Sequence, residues 1–291
     1  MYLCIKLKKL MKICFISVLL LSVSALFIFS SRISLPGIHA ENEGICLPVI
    51  MYHKIISSSS GQNQWQISKE AFECDLKYLK DNGYETVNVQ DLLDYINLDM
   101  PLPEKPVMIT FDDGFYNNIV YALPLLEKYD MKAIISIVGE YTESYSESKV
   151  RSAAYSYCTW DDIKKISQSG RFEIGNHTYG LHSNSSRNGS MKRSGESTEE
   201  YTKIFTDDVM KLQNILTQKS NVTPIIFTYP FGAISKEAKP ALIDMGFQAT
   251  LNCYERPNYI TKDPKCLFGL NRYNRSGGIS TENFMKKALS S

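Results

Sequence analysis

The chain has 291 residues, 44% of them hydrophobic and 22% charged, a balance that excludes a disordered or fibrous protein and leaves enough length for a packed core. The five basic residues of the first forty, Lys6, Lys8, Lys9, Lys12 and Arg32, face no acid there. Without those five, 27 basic side chains meet 31 acidic ones, a net of −4, so the body has no electrostatic footprint for nucleic acid.

Lys6 to Lys12 form a positive head, an apolar run follows from Ile13 to Phe29, and Ile38-His39-Ala40 offers a cleavage site before Glu41. The run is seventeen residues, at the lower limit for crossing a bilayer. Residues 1–40 are therefore expected to be a signal peptide, with membrane attachment through residues 13–29 as the alternative. Residues 41–291 would then form an extracellular or cell-envelope domain. Its five cysteines, Cys46, Cys74, Cys158, Cys253 and Cys266, are odd in number and include no C-x-x-C, which argues against a disulfide framework and a thiolate zinc site.

In chain order, apolar runs predict strands over 47–52, 106–111, 133–138, 172–176, 225–229, 247–251 and 266–270. Most are continuous rather than alternating, as in strands covered on both faces. Between them Ser68 caps a helix with Phe72, Leu76 and Leu79 on one stripe, stopping near Gly83. Asn88 caps a helix over 89–97, and Thr159 with Asp162 forms a capping box for 160–169. Tyr201, Phe205, Val209, Leu212 and Leu216 recur at helical spacing over 197–218. Segments 57–64 and 183–198 are polar, the first a surface loop and the second a mobile one. This alternation predicts a single α/β domain on a parallel sheet, open or closed into a barrel.

Three strand ends carry chemistry. Thr110-Phe111-Asp112-Asp113-Gly114 ends a strand with two carboxylates and a glycine. Adjacent carboxylates do not suit a glycosidase, whose pair must flank the scissile bond. Glu173-Ile174-Gly175-Asn176-His177-Thr178-Tyr179-Gly180-Leu181-His182 carries two of the chain's four histidines, five apart, a spacing that suits a strand-to-loop clamp rather than a helix face. One carboxylate and two imidazoles supply three ligands to a divalent ion such as Zn²⁺ and leave a position open, while the second carboxylate is free to act as a base. The third segment, Ile225-Ile226-Phe227-Thr228-Tyr229-Pro230-Phe231-Gly232, breaks at a turn where the Phe231 N–H can serve as an oxyanion donor.

In this order the segments resemble the polysaccharide deacetylase (NodB-homology) family of carbohydrate esterases. The resemblance implies Asp112 as base, with Asp113, His177 and His182 as metal ligands. The histidine spacing of five, the F-T-Y-P-F-G form of the third motif, and Met51-Tyr52-His53 are similar to the branch that deacetylates poly-β-1,6-N-acetylglucosamine. The implied fold is a distorted (β/α) barrel of about seven parallel strands, with the catalytic domain running from about residue 47 to the carboxyl end. Tyr229 and Phe231 fall on the oxyanion and substrate side, and Tyr179, between the histidines, is a candidate substrate contact. Trp65 is a candidate sugar platform, whereas Trp160 opens an amphipathic helix and reads as core.

Two departures stand out. Most of the family has an arginine where this chain has Thr228, so Arg272 is the candidate brace for the base. No histidine follows His182, which leaves His53 to protonate a leaving amine, and the resembling branch places an acid there. The implied function is metal-dependent removal of N-acetyl groups from a polysaccharide containing N-acetylglucosamine, poly-N-acetylglucosamine or peptidoglycan, at the cell envelope. Zn²⁺ or another divalent transition metal would be the cofactor, and the protein is expected to be a monomer. The alternatives are an O-deacetylase of a glycan such as xylan and a non-catalytic glycan-binding protein.

Overall fold

All seven expected apolar runs form strands in the computed structural model, which describes residues 44–148 and 150–290. In chain order the strands are β1 (Ile45–Cys46), β2 (Val49–Tyr52), β3 (Lys54–Ile56), β4 (Gln66–Ser68), β5 (Glu85–Thr86), β6 (Pro106–Phe111), β7 (Ala133–Ile137), β8 (Phe172–Asn176), β9 (Ile226–Thr228), β10 (Ala249–Leu251), β11 (Tyr259–Ile260), β12 (Phe268–Leu270) and β13 (Tyr273–Asn274). The main sheet runs β12-β10-β9-β8-β7-β6-β2-β13, every pair parallel, with β5 added beside β6. The pairs β1–β11 and β3–β4 lie outside it.

The edge strands of this path, β12 and β13, are consecutive in the chain and separated only by Asn271 and Arg272. Eight strands about 4.8 Å apart would make a flat sheet roughly 34 Å wide, whereas three chain steps of about 3.6 Å cover roughly 11 Å. The sheet must therefore curl until its edges meet. The last strand is in effect one strand broken at Asn271–Arg272, its first half on β10 and its second on β2. This is the distorted barrel expected, with the seventh strand split to give eight segments. The second half escapes notice in the sequence because it is two residues long and has no apolar run.

Strand period two sorts the side chains. Val49, Met108, Ile134, Ile226, Ala249, Leu251 and Leu270 share one apolar cluster that fills the barrel. Their neighbours Ile50, Tyr52, Ile109, Phe111, Ile135, Phe172 and Ile174 belong to another, packed under helices through Phe72, Leu76, Ile163, Ile166, Leu212 and Leu216. Both faces are buried, which is why the runs are continuous.

The expected caps hold their helices. Ser68 accepts the Ala71 N–H at the start of Lys69–Asp81. Asn88 and Thr159 form capping boxes for Val89–Leu98 and Trp160–Ser167, and Ser197, not among the expected caps, forms one for Thr198–Ser220. Four further helices, Leu123–Tyr129, Gly139–Glu147, Ala238–Asp244 and Thr281–Ala288, complete the covering layer. No helix among the described residues is long and apolar enough to cross a membrane. The expected signal or anchor, residues 1–40, lies outside the described residues.

Candidate active site

Following the inward parity past each strand's carboxyl end predicts who meets there. Val49 and Met51 lead to His53, Met108 and Thr110 to Asp112, Glu173 and Gly175 to His177, Ile226 to Thr228, Ala249 and Leu251 to Cys253, and Leu270 to Arg272. Of these, His53, Asp112, His177 and Cys253 line one cavity of about 680 Å³, together with Asp113, His182, Trp65 and Phe231. Arg272 stands behind Asp112.

The backbone marks the same place. Among the described residues, six non-glycine residues have positive φ. Asp99, Asp130 and Asn221 are left-handed caps that close helices, an ordinary use. The other three, Asp113 (φ 70°), Thr178 (φ 72°) and Phe231 (φ 57°), each follow a site strand. A β-branched threonine there is strained, and such strain collects at functional sites.

Asp113 Oδ1 stands 3.1 Å from His182 Nε2 and 3.6 Å from His177 Nε2, and the three donor atoms lie within 4.8 Å of one another. Ligands about 2.1 Å from a tetrahedral ion are separated by roughly 3.4 Å, so the set fits a divalent cation. The outer nitrogens agree. His177 Nδ1 donates to the Thr228 carbonyl at 2.7 Å, which frees Nε2 to ligate. His182 Nδ1 and the Tyr141 hydroxyl are 3.3 Å apart, and that hydroxyl donates to the His182 carbonyl at 3.3 Å.

Asp112 is almost wholly buried and takes a bidentate contact from Arg272, at 2.7 and 2.8 Å. Burial pushes its carboxyl up, but the Arg272 charge and hydrogen bonds, with His177 and His53, hold it below the usual range. Asp113 is likewise raised by burial, and the His177 and His182 rings beside it carry it below the usual range. For His53, burial lowers proton affinity and outweighs the opposing carboxylates Asp112 and Asp113. Its Nδ1 is buried with no partner among the described residues, and its ring meets Trp65 edge-on at 4.8 Å.

Two expected contacts lie elsewhere. Tyr229 shares the parity of Phe227, not of Thr228, so it points out of the barrel. It is 2% exposed in a cluster with Phe205, Phe227 and Phe247. Tyr179 packs against Gly139 under the Lys211 ammonium, 3.4 Å from its ring centre, and does not line the cavity. Phe231 is at the cavity and presents its ring there, the residue 48% exposed and the ring 4.7 Å from the His182 ring. Trp160 is buried as expected. Segment 183–198, read as mobile, is pinned: Arg187 pairs with Glu196, Ser190 Oγ donates to Ala233, and Gly189 abuts Pro230.

Sequence reasoning missed Tyr141 and Asp208. Asp208 accepts the Tyr179 and Gly180 N–H groups, both at 2.8 Å, and so clamps the loop between the two histidines. Neither has a motif, and each is an ordinary polar position on a helix.

A family profile for polysaccharide deacetylase matches residues 99–250, just over half of the chain and the span that supplies Asp112, Asp113, His177 and His182. The chain belongs to the polysaccharide deacetylase family. His53 and Arg272 fall outside the matched span of the deacetylase profile. Among relatives, Bacillus subtilis YxkH, which carries a provisional polysaccharide deacetylase name, is 29% identical over 239 residues, 82% of this chain and 74% of that protein. The poly-β-1,6-N-acetyl-D-glucosamine N-deacetylase of Escherichia coli K12 is 24% identical over 220 residues, 68% of this chain and 32% of that protein. The chain thus spans about a third of that relative. In fold, a de-N-acetylase from Aggregatibacter actinomycetemcomitans superposes with a TM-score of 0.70 at 24% identity, over 82% of this chain and all of that one. IcaB from Ammonifex degensii gives 0.67 at 24% identity, over 85% and 97%.

Proposed function

We propose that this polysaccharide deacetylase is a metal-dependent N-deacetylase of a polymeric amino sugar such as poly-N-acetylglucosamine, working outside the cytoplasm. One observation carries the reading: a three-ligand metal set and an arginine-braced carboxylate share one cavity with a buried histidine. The names of the Escherichia coli relative and of others like it support the choice of polymer.

Asp113, His177 and His182 would hold the cation, and their carboxylate and imidazole donors suit Zn²⁺. Such an ion, when bound, supplies Lewis acidity to an acyl carbonyl and acidifies water. Asp112, kept ionised by Arg272, accepts the proton of the attacking water. The Phe231 N–H donates to the carbonyl oxygen as charge builds there. His53 gives a proton to the amine nitrogen as the C–N bond breaks.

The test is acetate release from β-1,6-linked N-acetylglucosamine oligomers by purified residues 41–291, with chelation, metal add-back and acetylated xylan as a comparison. Release from the oligomers alone, lost on chelation and in Asp112→Asn with metal still bound, is the expected result. Full activity in Asp112→Asn would remove the assigned base. Glycan binding with no acetate released from any substrate would overturn the reading.

A further inference from the structure

The cavity holds a charge that the reaction above does not use. Lys54 follows His53 directly, and its side chain lines the same cavity. Its ammonium sits 4.4 Å from the centre of the Phe115 ring, close enough for cation–π attraction. Phe115 is stacked in turn on Tyr157, with ring centres 4.6 Å apart, and a backbone bridge joins the same two residues. The seat under the ammonium is therefore built rather than incidental.

The carboxylates that share the cavity are committed elsewhere, Asp112 to Arg272 and Asp113 to His177 and His182. Around Lys54 the wall is made of the neutral side chains Asn63, Trp65 and Gln66. Lys54 thus presents a fixed positive charge to whatever enters, and a bound divalent cation would add to the same sign.

We propose that Lys54 makes the cavity select for the charge of the sugar beside the one being deacetylated, accepting a neutral N-acetylglucosamine and turning away a glucosamine whose amine is already free. This rests on the deacetylase reading. A free sugar amine is a primary amine, protonated at mildly acidic pH. Two like charges brought together in a half-enclosed site repel more than in open water. Each turnover then disfavours reaction at the adjoining residue, so products are spaced along the polymer.

The experiment compares kcat/KM for two probes at pH 6 and low salt: a β-1,6-linked N-acetylglucosamine pentamer, and the same pentamer with one internal free amine. The wild-type protein is expected to favour the fully acetylated pentamer by roughly three- to tenfold, more than the loss of one reactive position explains, with the ratio shrinking as salt is added. Lys54→Met should lower the ratio toward the value left by the missing reactive position and the bound cation, and Lys54→Arg should keep it. Because the ratio is taken within one protein, a general loss of activity in a variant does not imitate the effect. An unchanged ratio in Lys54→Met overturns the role of Lys54 while leaving the deacetylase reading intact. No acetate from the fully acetylated pentamer with metal-loaded wild-type protein overturns both.

Discussion

Arg272 and Asp112 stand 160 positions apart in the chain, yet the two terminal nitrogens of the guanidinium meet the two oxygens of the carboxylate. Arg272 is wholly buried, and its Nε donates to the Asn252 carbonyl at 2.7 Å, so the fork is aimed before any substrate arrives. It lies at the break that lets one strand serve both edges of the sheet. The same two-residue link therefore closes the barrel and braces the carboxylate.

Removing that brace should separate charge from packing. Arg272→Met leaves Asp112 buried without a partner, and a loss of about 3–5 kcal/mol of stability is expected in chemical denaturation. Burial, its main opponent removed and only His177 and His53 left against it, then raises the Asp112 carboxyl. If Asp112 is the base, the acid limb of the kcat/KM profile moves to higher pH. Arg272→Lys keeps the charge but not the fork, so its shift should be smaller. An acid limb that does not move in Arg272→Met would show that Asp112 is not the group titrating there.

Tyr141 tests the metal set from outside it. Its hydroxyl faces both Nδ1 and the carbonyl of His182, which holds the ring with Nε2 toward Asp113. Tyr141→Phe should weaken metal affinity about tenfold, read by competition with a chelator, with little change in folding. His182→Ala should lose the metal outright. If the two variants bind metal as the wild type does, the three-ligand set is wrong.

Seven of the strands and three of the helix caps were legible because each depends on neighbours in sequence, an apolar run or a Ser/Thr/Asn three residues before a partner. The side of the sheet to which each site residue points was legible too, had parity been followed: Tyr229 is one position past Thr228 and so faces the helices. What sequence could not show was the clamp of Asp208 on the loop between the histidines, or the pinning of segment 183–198 by Arg187 and Glu196. Those depend on which helix lies against which loop, and local pattern does not encode it.

Glu173 gives the fold a pH dependence independent of the site chemistry. Its carboxylate accepts the Val89 N–H at 2.9 Å, and burial pushes its pKa up to about 7. A carboxyl raised in the folded state binds more protons folded than unfolded between its ordinary value and about 7. Its contribution to stability is therefore greatest at the acid end and falls as pH rises through that window. Glu173→Gln should flatten this part of a plot of stability against pH. An unchanged slope in the variant would assign the dependence to another group.

Two glycines in one loop separate strain from contact. Gly189 and Gly195 both have positive φ, 53° and 79°, so alanine costs about 1 kcal/mol at either position from backbone conformation alone. At Gly195 a Cβ meets nothing within 4 Å. At Gly189 it would stand 2.8 Å from the Pro230 carbonyl oxygen and 3.1 Å from Phe231 Cδ2, so the turn that carries Phe231 must move. Gly195→Ala should therefore lower the melting temperature slightly and leave KM alone. Gly189→Ala should cost more stability, about 2–3 kcal/mol with the contact included, and raise KM as Phe231 leaves its place 4.7 Å from His182. Equal kinetics in the two variants would mean that the Phe231 turn does not form part of the substrate site.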